Sequence, residues 1–155
     1  MDEGKQLKYG WIRGGEQGYE VILAASQVIT AAGGKFVKRT GNGTDTVTLA
    51  VDGTDEILGH LECEAIATTL GTEKRKCIND PTAVFRIPII TGTYTHLMKG
   101  KTCDFATSSN IQGADVSTST DDTLVIVDGD LVNNAWVDVQ LNVNEMNKIG
   151  ADATT

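Results

Sequence analysis

Short runs of alternating apolar and polar residues, separated by glycine- and aspartate-rich turns, restrict this chain more than any other feature. In residues 46–51, TVTLAV, the apolar Val47, Leu49 and Val51 alternate with small or polar side chains, and residues 135–143, AWVDVQLNV, repeat the pattern. A period of two residues places successive side chains on opposite faces of a β-strand. The chain is therefore predicted to consist of strands that bury one face.

The turns between these runs indicate antiparallel pairing. Residues 34–40 and 46–51 flank the loop GNGTD, and residues 123–127 and 135–143 flank a loop that starts with Asp-Gly. Such segments favour β-hairpin turns. A third strand is predicted within residues 57–66. We expect the buried faces to include Val47, Leu49, Val51, Leu61, Val125, Val127, Val137, Val139 and Leu141.

Strands separated by turns at short intervals predict an all-β fold made of small β-barrel or β-sandwich modules of short antiparallel strands. Charged and turn residues at 71–82, GTEKRKCINDPT, indicate a boundary. Pro88 lacks a backbone N–H and is expected at a sheet edge or bulge. The predicted parts, of which the two modules could also form one continuous domain, are an extended arm (1–20), an N-terminal β module (21–70), a C-terminal β module (83–143) and a tail (144–155).

The predicted arm combines glycines with large side chains and is the candidate partner interface. Tyr9, Trp11, Ile12 and Arg13 are of the types that are enriched at interface hot spots, and the neighbouring glycines let a backbone lie flat on a partner. The alternative is that this segment is a strand that completes the protein's own sheet. The sequence leaves both interpretations open.

Charge and cysteine content exclude several classes of partner. The formal net charge of −8 repels phosphate backbones and anionic membranes, so we expect no direct nucleic-acid or membrane binding. The N-terminus lacks the pattern of a secretory signal, and no apolar run approaches the roughly 18 residues of a membrane helix. Cys63, Cys77 and Cys103 are an odd, unpatterned set, which indicates reduced thiols in a cytoplasmic setting.

The sequence carries no catalytic, metal-binding or cofactor-binding motif. His60 and His96 are the two histidines, and neither accompanies a nucleophile elbow, a phosphate loop or a dinucleotide fingerprint. Paired cysteine or histidine ligands for zinc are missing, and the acidic loops lack the spacing of a calcium-binding loop. We therefore predict a protein that is not an enzyme and has no cofactor.

In its pattern of turns and strands the chain resembles the head decoration, or cement, proteins of tailed bacteriophages. The resemblance rests on residues 34–43 (GKFVKRTGNG), 47–51 (VTLAV), 57–62 (ILGHLE), 99–105 (KGKTCDF), 124–129 (LVIVDG) and 133–139 (NNAWVDV). It implies a non-enzymatic virion protein, assembled in the host cytoplasm, that binds the capsid exterior and stabilises it. The implied partners are the major capsid protein and further copies of the chain, as a homotrimer.

Two other functions compete with this one. The same turns and alternation fit a structural component of a phage tail or baseplate. They also fit a β module that binds carbohydrate or another small ligand, although aromatic residues, at 5% of the chain, are few for a carbohydrate cleft.

Overall fold

β-branched and aromatic residues favour extended backbone in this chain, and glycine, asparagine or aspartate ends several of the extended runs, as at Gly14, Asn79 and Gly92. The computed structural model of the protein describes residues 9–29, 35–40, 46–51, 57–62, 66–67, 71–109 and 111–142. These residues contain one short 3₁₀ helix, His96–Met98, and are otherwise strands and connections, so the predicted all-β class is confirmed. The strands are β1 (Gly10–Arg13), β2 (Gly18–Leu23), β3 (Val28–Ile29), β4 (Phe36–Arg39), β5 (Thr46–Leu49), β6 (Gly59–Glu62), β7 (Ile66–Ala67), β8 (Lys74–Ile78), β9 (Val84–Thr91), β10 (Thr102–Ser108), β11 (Ile111–Asp115), β12 (Leu124–Gly129) and β13 (Trp136–Leu141).

Five strands of the N-terminal half close into a barrel in the order β2, β5, β4, β6, β8, and this is the first barrel. Pairing is antiparallel except between β2 and β5, which run parallel. The predicted hairpin is confirmed as β4 and β5, and the predicted third strand as β6. The short strands β3 and β7 pair with each other outside the barrel.

The C-terminal strands follow the order β9, β11, β10, β12, β13, and β13 pairs back onto β9. These five strands therefore also form a closed ring, which we call the second barrel. Pairing is again antiparallel except between its first and third strands in chain order, β9 and β11. The predicted hairpin of β12 and β13 is confirmed.

The two barrels share one topology. If the strands of each barrel are numbered 1 to 5 along the chain, both rings have the order 1-3-2-4-5, with strand 1 parallel to strand 3 and antiparallel to strand 5. The strands β1, β3 and β7 are additions to this plan. A position in one barrel therefore has a topological equivalent in the other.

A long antiparallel ribbon joins the barrels. On one side of the ribbon β1 is followed by β2; β1 pairs with β9, and β2 pairs with β8. The paired residues run from Gly10 opposite Arg86 to Ile22 opposite Lys74. Between these pairings, Asn79 donates its N–H to the carbonyl of Gln17, and Thr82 accepts the N–H of Gly15. β2 and β9, the first strands of the two barrels, consequently run in opposite directions.

The apolar core crosses the boundary between the barrels. Phe36 of the first barrel packs edge-on against Phe85 and Phe105 of the second, with ring centroids 5.3 and 5.9 Å apart. A separate cluster, which includes Val21, Val47 and Leu61, fills the first barrel. The continuous packing supports the interpretation of the two modules as one domain.

Much of the predicted boundary segment, residues 71–82, is occupied by β8, which closes the first barrel, and the chain passes to the second barrel only after Ile78. Lys74 and Lys76 point to solvent while Cys77 and Ile78 are buried, so the charged residues belong to the exposed face of a strand. The first barrel therefore spans residues 18–78 rather than 21–70. The predicted tail lies outside the described residues.

The extended arm is also corrected, since residues 10–13 and 18–20 belong to β1 and β2. Pro88, predicted at a sheet edge or bulge, lies in the middle of β9, between the residues paired with β1 and those paired with β11, whose register contains an irregularity. Ile89 donates its N–H to the carbonyl of Ala135, on the side of β13. The nitrogen of Pro88 therefore faces the other side of β9, in the gap between β1 and β11, where no described strand requires a hydrogen-bond donor.

Most of the predicted core positions are buried, namely Val47, Leu61, Val137, Val139 and Leu141. In β12 the predicted face is reversed, since Leu124 and Ile126 are buried and Val125 and Val127 are half-buried. Val51 is exposed, and Ala50 takes the core position beside it.

Candidate protein-interaction surface

Two connections of the second barrel form its loop end. Residues 92–101 link β9 to β10, and residues 130–135 link β12 to β13. The side chain of Asn134 joins them, since its Oδ1 accepts the N–H of Tyr94 at 2.8 Å and its Nδ2 donates to the carbonyl of Gly92 at 2.9 Å. Asn134 holds the positive φ of +52° that this residue type tolerates.

The turn at residues 130–135 is organised by Asp130. Its carboxylate accepts the backbone N–H groups of Val132, Asn133 and Ala135 at 3.0 to 3.1 Å. These bonds, with that from Asn133 the largest contribution, lower the pKa of Asp130. The backbone of the turn is therefore fixed although it lies on the surface.

Tyr94 packs beneath the two loops, on their buried side. Its side chain is buried against Gly129, where an added Cβ would lie 2.6 Å from the aromatic ring. Glycine at position 129 is thus required by the close approach of the ring. The two loops rest on this packed base.

The fixed loops present large aliphatic side chains to solvent. Leu131 is 61% exposed, Val132 is 88% exposed and Leu97, in the 3₁₀ helix, is 71% exposed. We call these three residues the loop-end surface. A turn whose backbone is already held by hydrogen bonds loses little backbone entropy on binding, which makes this surface suited to protein contact.

A charged and aromatic strip adjoins the turn. The guanidinium of Arg86 binds the buried carboxylate of Asp138 through two hydrogen bonds of 2.7 and 3.0 Å, and it lies 3.8 Å from the centre of the Trp136 ring. Trp136 also accepts the N–H of Asp130 through its carbonyl. Burial raises the pKa of Tyr9, with Arg86 lowering and Asp130 raising it, so the Tyr9 phenol lies near both groups.

The four predicted interface residues differ in how far they are exposed. Tyr9 is exposed, and Arg13 is exposed with one guanidinium nitrogen 3.9 Å from Asp138. Trp11 and Ile12 are half-buried: Trp11 packs against the shared core and donates its indole N–H to the carbonyl of Gly15 at 3.2 Å. The segment is a strand of the protein's own sheet, as the alternative interpretation held, and the partner role of these residues stays a prediction.

The sequence prediction missed Leu97, Leu131 and Val132. The segment DGDLVNN holds two adjacent large aliphatic residues among five turn-forming ones, and that composition could have revealed Leu131 and Val132. Selection by aromatic residue type favours the N-terminal segment and does not detect these aliphatic residues.

Other side chains offer little chemistry. Among the described residues no group of three or more His, Cys, Asp or Glu side chains could hold a metal ion. His60 is buried and His96 is exposed on the 3₁₀ helix. Cys77 and Cys103 are free, and burial raises the pKa of each thiol to about 12; Cys63 lies outside the described residues.

No helix in the described part of the chain is long and apolar enough to cross a membrane. Comparison of the chain with models of protein families, with curated proteins and with solved structures finds no match.

Proposed function

We propose that this protein is a non-enzymatic structural protein that decorates the outside of a tailed-phage capsid by binding its major capsid protein. The observation that carries the proposal is the loop-end surface, in which fixed turns hold Leu131, Val132 and Leu97 in solvent. Exposed apolar side chains grouped on one surface mark sites of contact between proteins, and arginine and aromatic residues are enriched in such contacts. The resemblance to decoration proteins supplies the kind of partner.

The net charge of −8 also supports an exterior position. An acidic protein is repelled by packaged nucleic acid and stays soluble until it meets its target. Around the exposed aliphatic residues lie Asp130 and the ion pair of Asp128 with Lys99 at 3.4 Å, so a complementary capsid surface would carry charged groups of both signs around an apolar centre.

Cryo-electron microscopy of particles of the phage that encodes the chain tests the proposal. Density for the two barrels on the outer face of the head, with residues 130–135 against the capsid, would support it. Density confined to the tail or baseplate would contradict it and favour the competing structural role.

Binding of purified protein to particles that lack it tests the surface. The double substitution Leu131→Ala with Val132→Ala should weaken binding about tenfold or more, since truncated hot spots cost on the order of 2 kcal/mol. Val28→Ala is the matched control, because Val28 is 67% exposed but lies in β3, outside both barrels. Equal weakening by both variants would contradict the assignment of this surface.

We expect the protein to bind as a homotrimer, because several weak contacts that act together raise the affinity of each copy for a repetitive surface. Sedimentation of the free protein and stoichiometry on the particle measure this. A single copy both in solution and at each site on the head would contradict it.

A further inference from the structure

The common topology of the barrels reveals a difference at one equivalent position. In the second barrel, β9 is flanked on one side by β1 along residues 84–86 and by β11 along residues 89–91. In the first barrel, β2 is flanked on the equivalent side by β5 at Ile22 and Leu23 only. No described strand takes the place that β1 takes on β9.

The exposure of the residues in β9 and β2 differs in the same way. In β9, Val84 and Phe85 are buried and Arg86 is half-buried, whereas Gly18, Tyr19 and Glu20 of β2 are all exposed. Among the described residues, the side of β2 along residues 18–20 is therefore an open strand edge.

Backbone hydrogen bonds show which groups this edge offers. On the side of β8, Gln17 accepts the N–H of Asn79 and Leu23 donates to Glu73. Because antiparallel pairing alternates, the odd-numbered residues of β2 direct their N–H and C=O groups to β8, and the even-numbered ones direct theirs to the opposite side. Gly18 and Glu20 thus present backbone donors and acceptors to the open edge.

A groove lies along the same edge. It has a volume of about 290 Å³ and is lined by Tyr19, Glu20, Val21, Ile22, Arg39, Val47 and Leu58. Burial raises the pKa of the Tyr19 phenol and the nearby guanidinium of Arg39 opposes the shift, which places Arg39 beside Tyr19. Arg39 is exposed and forms no ion pair within the described part of the chain.

We propose that the first barrel binds an extended segment of a partner protein by β-strand addition along residues 18–20, with an acidic side chain of that segment beside Arg39. The backbone of the added strand bonds Gly18 and Glu20, as β1 bonds β9, and alternate apolar side chains of the segment enter the groove over Val47 and Leu58. The charge of Arg39 selects an acidic segment over a basic one. This site is separate from the loop-end surface and does not depend on the proposed function.

Peptide binding to the full chain tests the proposal. The probe is an acetylated and amidated six-residue peptide in which valine alternates with threonine and one glutamate is present; the comparison peptide has lysine in place of glutamate. The glutamate peptide should bind at least tenfold more tightly, and Arg39→Glu should reverse the order. Equal affinity of the two peptides, or binding unaffected by Arg39→Glu, would overturn the assignment.

Two substitutions at one position separate the backbone edge from its side chains. Glu20→Pro removes a donor that faces the open edge and leaves the bonds to β8 intact, so the protein should fold and lose peptide binding at least tenfold. Glu20→Thr keeps the N–H and removes a carboxylate from the groove, so it should keep the binding of the glutamate peptide or strengthen it. Unchanged binding by a folded Glu20→Pro variant would overturn the proposal, and the Arg39→Glu variant decides the matter if Glu20→Pro does not fold.

Amide hydrogen exchange identifies the occupant. In dilute protein, the Gly18 and Glu20 amides should exchange rapidly and become protected when the glutamate peptide is added, while the Val21 amide is protected throughout. Protection in dilute protein without peptide would show that the chain itself covers the edge. Protection that rises with protein concentration would show a second copy there, and either result would overturn the partner assignment.

Discussion

His60 is the residue whose chemistry depends most on its surroundings. Its side chain is 5% exposed and packs against the rings of Phe36 and Phe85, where the two barrels meet. Its Nδ1 has no hydrogen-bond partner among the described residues, and the carboxylate of Glu62 is 3.9 Å away. Burial and, to a smaller extent, the charge of Lys35 lower the pKa of His60 to about 3, and a hydrogen bond with the Leu61 backbone opposes the shift.

This histidine should make the fold sensitive to acid. The unfolded chain takes up a proton near pH 6.5 and the folded chain only near pH 3, so stability is full above pH 6.5 and falls as the pH decreases between these values. The loss between pH 6.5 and 5 should be about 2 kcal/mol. Urea unfolding of wild type and His60→Gln at both pH values measures it, with His96→Gln as the exposed control. Equal pH dependence of all three would contradict the prediction.

Trp11 and Tyr9 should contribute unequally to the stability of the fold. Trp11 packs against the shared core, so Trp11→Ala should lower the free energy of unfolding by about 2 kcal/mol, less than for a fully buried tryptophan. Tyr9 is exposed, and Tyr9→Ala should leave the melting temperature nearly unchanged. Thermal unfolding of the two variants checks this. A larger loss for Tyr9→Ala would mean that the packing of this segment is misassigned.

At the scale of single strands, the sequence predicted alternation better than it predicted which face is buried. Val137, Val139 and Leu141 were correctly placed inside because polar residues separate them. The run LVIV of β12 is apolar on both faces, so its periodicity carries no preference, and the predicted face was reversed. β8 was missed for the opposite reason, since KRK is charged on both faces and only the barrel shows that it is a strand.

Val139, in the middle of β13, allows a test of which strand faces are buried. Val139 is fully buried between Ile126 and Phe85, so Val139→Asp would bury an unpaired carboxylate and should cost about 4 kcal/mol or more. Thr48 is half-buried on β5, and Thr48→Asp should cost far less. Chemical denaturation at neutral pH compares them. Equal losses would show that the faces of these strands are still misassigned.

At the scale of the whole molecule, the sequence predicted two β modules but not how they join. The ribbon and the shared core arise from contacts between residues far apart in the chain, such as Phe36 with Phe85, which local patterns do not encode. The candidate site shared this limitation. Tyr9 could be selected by residue type, but its neighbours Arg86 and Asp130 come from distant strands and turns.

Gln112 links the barrels most directly, and its removal should uncouple them. Its side chain is 3% exposed; its Oε1 accepts the N–H of Phe36 at 2.8 Å, and its Nε2 donates to the carbonyls of Phe36 and Ala50 at 2.9 and 3.0 Å. Phe36 also accepts the N–H of Ala50, so a truncated Gln112 leaves the Phe36 N–H and the Ala50 carbonyl without these bonds.

Each buried polar group left unpaired costs about 1–3 kcal/mol, so Gln112→Ala should destabilise the protein by about 3 kcal/mol. Because the lost bonds lie between the barrels, the single calorimetric transition expected of the wild type should broaden or split into two. Gln140→Ala is the control, since within the described part of the chain Gln140 forms only a long hydrogen bond of 3.4 Å to Thr82. If Gln112→Ala melts in one sharp transition within about 2 °C of the wild type, the barrels are coupled by the aromatic core alone and not by this amide.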